Sequence, residues 1–219
     1  MSENNESRRN FLKTAVAGAG AVATAAVTPQ AAAAPAMQMD HGGAKLGAFF
    51  NPEEAAAIAA FTERLMPGGP GGPGGPGKPG ATEAGVLNYI DLALAGAYSD
   101  MQEFYRHGLQ QLDAYSRKTR SAAFTRLTPA QQDEIITALE SGKADGFTWP
   151  SPRAFFETLR THTMEGMFAD PLYGGNKDFA GWRLVGFPGA QLQFSQTEMQ
   201  SKAAYTGGAI VGLQATRKV

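Results

Sequence analysis

Three junctions in this 219-residue chain carry the same structural instruction. A small polar residue precedes proline, and apolar residues then follow at helical spacing: Asn51-Pro52, Thr128-Pro129 and Ser151-Pro152. The polar side chain at the N-cap accepts a bond from the first turn, and proline at N1 sacrifices no intrahelical bond. Each junction therefore starts a helix. After Asn51, Glu53 and Glu54 place acids in the first turn, Ile58, Phe61, Leu65 and Met66 share a face, and Pro67 ends the segment. After Thr128, Gln131 completes a capping box, Ile135, Ile136 and Leu139 form the apolar face, and Gly142 stands where a C′ stop belongs. After Ser151, the residues Phe155, Phe156, Leu159, Met164 and Met167 recur until Asp170-Pro171. Two more runs have the period without such a junction. One carries Val86, Leu87, Ile90, Leu94 and Ala97; the other runs from about Asp100 to Ala123 with Phe104, Leu109, Leu112 and Tyr115 inward. Extended structure is hinted at in Arg183-Leu184-Val185 and in Gln191 to Phe194. The expected fold is mainly α: a small domain of about five helices with an aromatic, glycine-rich C-terminal loop region.

The first residues read as an address. Arg8, Arg9 and Lys13 form a basic region with Phe11 and Leu12, an uncharged Ala/Gly/Val run follows from Ala15 to Val27, and small-residue sites lie between Ala31 and Ala36. That order is an export signal over residues 1–36, and Arg8-Arg9-Asn10-Phe11-Leu12-Lys13 resembles the twin-arginine type, whose translocase carries folded cargo. A membrane-spanning reading is weaker, because alanine and glycine contribute little transfer energy and Pro29 and Pro35 interrupt the run. Residues 37–48 are expected to be a flexible start of the mature chain. Later in the chain, the best candidate span, Ala203 to Leu213, is short and holds Gly207, Gly208 and Gly212.

Every residue from Pro67 to Gly80 except Lys78 is glycine or proline. Gly72 to Lys78 fits the first part of a phosphate-binding loop, but Pro79 stands where its Ser or Thr should be, and Pro73 and Pro76 remove N–H donors. The Gly-x-y triplets are too few for a triple helix. Residues 67–80 are expected to be an extended linker inserted between two helices of a domain spanning 49–190, with 191–219 a variable tail.

The formal net charge of −1 gives no basic excess for a nucleic acid. Cysteine is absent, which excludes disulfides, thiolate metal sites, cysteine nucleophiles and covalent haem attachment through Cys-x-x-Cys-His. Histidines are few. Gln110 and Gln111, not metal ligands, follow His107 at i+3 and i+4. His162 and Glu165 lie three apart and together would form the centre of a stand-alone enzyme or interaction module, while a satisfied histidine near a helix surface is the simpler reading. Met37, Met39 and His41 make a soft, copper-like cluster that reads more simply as a tail. No Gly-x-Ser-x-Gly elbow occurs.

Thr163 to Gly189 differs in kind. It leaves a helix, turns at Asp170-Pro171 and again at Gly174-Gly175-Asn176, and carries Tyr173, Phe179, Trp182, Arg183 and Phe187. Aromatics and an arginine on a rigid loop suit a partner interface, with Tyr173, Gly174, Gly175, Asn176, Trp182, Arg183 and Phe187 as its candidates; a lid over the helical core is the competing reading. The pattern Asp170-Pro171-x-Tyr173-Gly174-Gly175-Asn176, then Gly181-Trp182, then Gly186-Phe187-Pro188-Gly189, resembles the signature of the gluconate 2-dehydrogenase subunit 3 family. The resemblance extends to Phe61 through Pro67, Glu83 to Val86, Tyr89-Ile90-Asp91, Gly108-Leu109 and Phe124 with Leu127, covering roughly 49–190. It implies a small, non-catalytic subunit that binds no cofactor itself. A large glucose-methanol-choline type subunit would hold FAD and oxidise a sugar, sugar acid or polyol. A multihaem cytochrome c subunit, carrying haem c, would take the electrons and provide the membrane association. The small subunit would stabilise the flavoprotein and escort it through the twin-arginine translocase to the periplasm.

Overall fold

The computed structural model describes residues 47–71, 75, 77–189, 194–203 and 210–213. The leader with Arg8, Arg9, Phe11, Leu12 and Lys13, and the Met37–His41 cluster, lie outside the described residues. Helices α1 (Pro52–Leu65), α2 (Val86–Ala95), α3 (Gln102–Arg120), α4 (Pro129–Glu140) and α5 (Pro152–Phe168) build the body. Two short helices, α6 (Ala180–Val185) and α7 (Gln196–Gln200), follow. The fold is mainly α, and among the described residues β-structure is confined to one isolated bridge.

The cap–proline junctions behave as their chemistry requires. Asn51 accepts from the N–H groups of Glu53 and Glu54 while Glu54 accepts from Asn51 N–H. Thr128 and Gln131 form the reciprocal pair at α4, and Ser151 accepts from Ala154 N–H. Helix α4 ends in a Schellman motif: Gly142 N–H donates to Leu139 O and Lys143 N–H to Ala138 O, with Gly142 at φ +72°.

Helix α5 lies against each of α1 to α4. Phe155, Leu159 and Met167 on α5 are sealed among Ile58 and Phe61 of α1, Val86, Ile90 and Leu94 of α2, Tyr105 and Leu112 of α3, and Ile135 and Leu139 of α4. Burial of such side chains stabilises by roughly 1.5–3 kcal/mol each relative to exposure. Phe61 places its ring 5.9 Å from Phe124 and 6.3 Å from Phe155. At the rim, Arg64 of α1 grips Asp133 of α4 through two bonds of 2.7 and 2.8 Å.

Four expectations require correction. Arg183-Leu184-Val185 is helical, not extended, because it forms the last turn of α6; Gln191 to Gln193 lie outside the described residues, and Phe194 is not in a strand. Met164 is 44% exposed, since the buried stripe of α5 passes through His162, Thr163, Gly166 and Met167 instead. The α3 run begins at Gln102 after a 3₁₀ turn, ends at Arg120, and buries Tyr105, Gly108 and Ser116 while leaving Phe104 and Tyr115 half-buried. Ala97 falls outside α2 and is exposed.

The glycine–proline segment joins α1 to α2 and is tied at its base. Glu63 accepts from Gly68 N–H and from both donors of Thr82, Gly69 N–H donates to Lys78 O, and Ala81 N–H donates to Met66 O.

Asp91 of α2 organises the entry to α1. Its Oδ2 accepts from Gly47 and Ala48 N–H at 3.1 and 2.9 Å, and its Oδ1 accepts from Phe49 and Phe50 N–H at 2.9 and 2.8 Å. Four consecutive donors converge on one buried carboxylate, which satisfies a charge that would otherwise be costly inside a protein. The same clasp seats Phe50 in the core and leaves Phe49 under Arg106, whose guanidinium carbon lies 4.5 Å from the ring centre. Asp91→Ala is expected to lose about 3 kcal/mol in a urea titration, and Asp91→Asn less, because an amide oxygen still accepts.

Candidate functional site

The last carbonyls of a helix have no intrahelical partner. At the end of α5 the following loop supplies them. Asn176 N–H donates to Gly166 O at 2.7 Å, Asn176 Nδ2 to Ala169 O at 2.9 Å, and Trp182 Nε1 to Phe168 O at 2.7 Å. Asn176 is fully buried and also uses its Oδ1, accepting from Gly181 N–H at 2.9 Å and Trp182 N–H at 3.4 Å. It adopts the left-handed conformation that asparagine tolerates, and Gly174 has φ +91° two residues earlier. Gly174 O accepts from Asn88 Nδ2, and Lys177 N–H donates to Ala84 O, so the loop is also stitched to α2 and its approach. A Cβ on Gly175 would lie 2.3 Å from Gly166 O, and one on Gly181 1.9 Å from Met167 O. These glycines allow the backbones of the loop and of α6 to meet the α5 backbone directly.

This frame divides the candidate interface residues. Gly175, Asn176 and Trp182 lie inside it; Trp182 is only 7% exposed, stacked on Phe179 at 5.4 Å and edge-on to Phe187 at 4.9 Å. Tyr173 and Phe187 project outward, at 49% and 42% exposed, with Arg183 and Val185 also on the surface and Gly174 partly covered. The sequence pattern does not distinguish these two sets, because glycines and a local 3₁₀ turn interrupt the period that would assign faces.

His162 and Glu165 have partners of their own. Tyr105 hydroxyl lies 2.7 Å from His162 Nδ1, and Tyr98 stacks on the imidazole with ring centres 4.7 Å apart. Glu165 Oε2 accepts from Tyr89 at 2.9 Å and from Tyr98 at 3.3 Å. Burial, followed by the bond to Glu165, pushes the Tyr89 phenol up, and burial pushes Tyr105 up, so both remain neutral. The cluster thus knits α2, α3 and α5 together through α5's polar face. Spacing alone pairs His162 with Glu165, whereas the fold gives each of them tyrosines. His107 is exposed, 3.7 Å from Glu103 and edge-on to Trp149.

A surface groove of about 730 Å³ runs between the start of α1, α3 and the Phe124–Arg126 turn. Its charges include the Arg106–Glu54 and Arg117–Asp113 pairs at 2.7 and 2.6 Å. Among the described residues, no group of three or more His, Asp or Glu side chains is placed to hold a metal, and no helix is long and apolar enough to cross a membrane.

Two measurements probe the site. Burial pushes His162 below its ordinary value near 6.5, against a weaker upward pull from Glu165. The unfolded chain then binds a proton that the folded chain resists, so the contribution of His162 to stability is full above about pH 6.5 and is lost as pH falls toward the lowered value. Thermal melts should show this decline, and His162→Gln should flatten it. Asn176→Ala removes the side-chain partners of Ala169 O, just past the end of α5, and of Gly181 N–H in the first turn of α6, and is expected to cost about 3 kcal/mol in chemical denaturation.

Searches of curated proteins and of solved structures find no match to the chain. The family model described as gluconate 2-dehydrogenase subunit 3 matches residues 52–189, from the first residue of α1 to Gly189, shortly after α6. That stretch holds the five-helix body and the entire Asn176-centred loop, and the chain belongs to the gluconate 2-dehydrogenase subunit 3 family.

Proposed function

We propose that this chain is a non-catalytic, accessory subunit of an FAD-dependent dehydrogenase complex that oxidises a sugar, sugar acid or polyol. Family membership over residues 52–189 is the observation that carries this reading. The flavin belongs to a large subunit of glucose-methanol-choline type, and a multihaem cytochrome c accepts the electrons and brings the complex to the cytoplasmic membrane. Arg8 and Arg9 direct export of the assembled, folded pair through the twin-arginine route into the periplasm. Such a division is physically reasonable: a flavoprotein that folds around FAD before export needs a route for folded cargo, and a bound companion with a leader provides one.

The outer side of the loop after α5 is the docking surface best suited to that role. Tyr173, Arg183 and Phe187 combine apolar area with a guanidinium, and the backbone that presents them is fixed by bonds to α5 and α2, which limits the ordering cost of association. Trp182 supports the loop from inside. Tyr173→Ser with Phe187→Ser is expected to weaken co-purification with the flavoprotein by about tenfold or more while leaving the melting temperature near that of the parent. Arg8→Lys with Arg9→Lys should retain both proteins in the cytoplasm. Export of active flavoprotein in cells lacking this chain would overturn the escort reading.

A further inference from the structure

The family match ends at Gly189, yet the chain beyond it returns to the same loop. Val211 forms a parallel β-bridge with Gly189, and Leu213 N–H donates to Asp170 Oδ2 at 2.7 Å. Ile210, Val211 and Gly212 thereby form one wall of a cleft of about 300 Å³ whose other walls are Asp170, Pro171, Leu172 and Phe179.

Two features distinguish this contact from a casually resting tail. Asp170 is buried and divides its carboxylate: Oδ1 accepts from Leu172 N–H within its own turn, and Oδ2 turns to the tail. The tail answers with a residue that has no side chain at the closest point, since a Cβ on Gly212 would lie 2.8 Å from Asp170 Oδ2. Val211 and Leu213 remain substantially exposed, so the backbone and the glycine make the recognition, while bulky side chains are unnecessary. A carboxylate reading an N–H and a β-bridge aligning the strand are the elements of extended-peptide capture.

We propose that the turn at Asp170–Leu172, with Phe179 and Gly189, is a peptide-binding site for an extended, glycine-containing segment read through its backbone, and that the chain's own Ile210-Val211-Gly212-Leu213 occupies it in cis. The assignment is independent of the dehydrogenase reading, because it concerns contacts within one chain.

The test uses the full chain and a synthetic peptide of residues 207–216. In the parent, the Leu213 amide should be protected in hydrogen exchange and the added peptide should not bind, because the site is filled. Gly212→Val drives a side chain into the Asp170 carboxylate; it should abolish that protection, leave the helices protected, and open the site to saturable binding of the parent peptide by calorimetry. A peptide carrying Gly212→Val should bind the opened chain about tenfold more weakly or worse, as expected for loss of a hydrogen bond to a charged acceptor. Introducing Asp170→Asn into the opened chain should weaken the parent peptide while the helices stay protected. Equal Leu213 exchange in parent and Gly212→Val chains, or failure of the parent peptide to bind the opened chain, would overturn the assignment. A parent chain that is dimeric, with tails cross-linking to the partner copy's loop, would overturn the cis arrangement in favour of tail exchange.

Discussion

The free carbonyls at the end of α5 are the constraint on which the rest of the structure depends. Helix α5 packs against the four other long helices, so its C-terminus emerges among neighbours, away from open water. Carbonyls ending there need donors from protein. Asn176 and Trp182 provide them, and their bonds decide the path of the loop, the placement of α6 and the outward direction of Tyr173 and Phe187. The same helix presents its polar side to Tyr89, Tyr98 and Tyr105 through His162 and Glu165. One helix therefore seats the core, the tyrosine cluster and the signature loop.

Two buried polar side chains perform comparable tasks at the entry to α1 and the exit from α5. Asp91 collects four N–H groups ahead of α1, and Asn176 collects carbonyls and N–H groups behind α5. Each converts an irregular segment into a fixed one by satisfying its backbone through a single side chain. A third residue, Asp170, extends the pattern to the tail by accepting from Leu172 and Leu213. Rigid presentation of loops follows from these three side chains, since neither strands nor disulfides are at hand: cysteine is absent, and β-structure among the described residues amounts to one bridge.

For a subunit whose proposed work is to hold and escort a flavoprotein, this construction separates support from contact. Trp182 lies under the loop and Tyr173 and Phe187 above it, so the surface can be altered without removing the donor to Phe168 O. The tyrosine cluster is likewise structural in its placement. It satisfies a histidine and a glutamate on a half-buried helix face, which allows α5 to carry polar residues among neighbours that are otherwise apolar.

The sequence by itself determined where three of the five long helices begin, because capping and proline act within one turn: Asn51, Thr128 and Ser151 each cap the helix that follows them. It also determined the family, through a pattern of glycines, aromatics and Asn176 long enough to be specific. Tertiary structure decided the rest. Whether Trp182 or Phe187 faces outward, whether His162 meets Glu165 or Tyr105, and why Asp91 is buried all depend on partners distant in the chain. Asp91 reaches back more than forty residues to residues 47–50, and Asp170 reaches forward to Leu213. Local periodicity contains no information about such bonds, because the groups that satisfy a buried carboxylate or carbonyl become neighbours only when the helices pack.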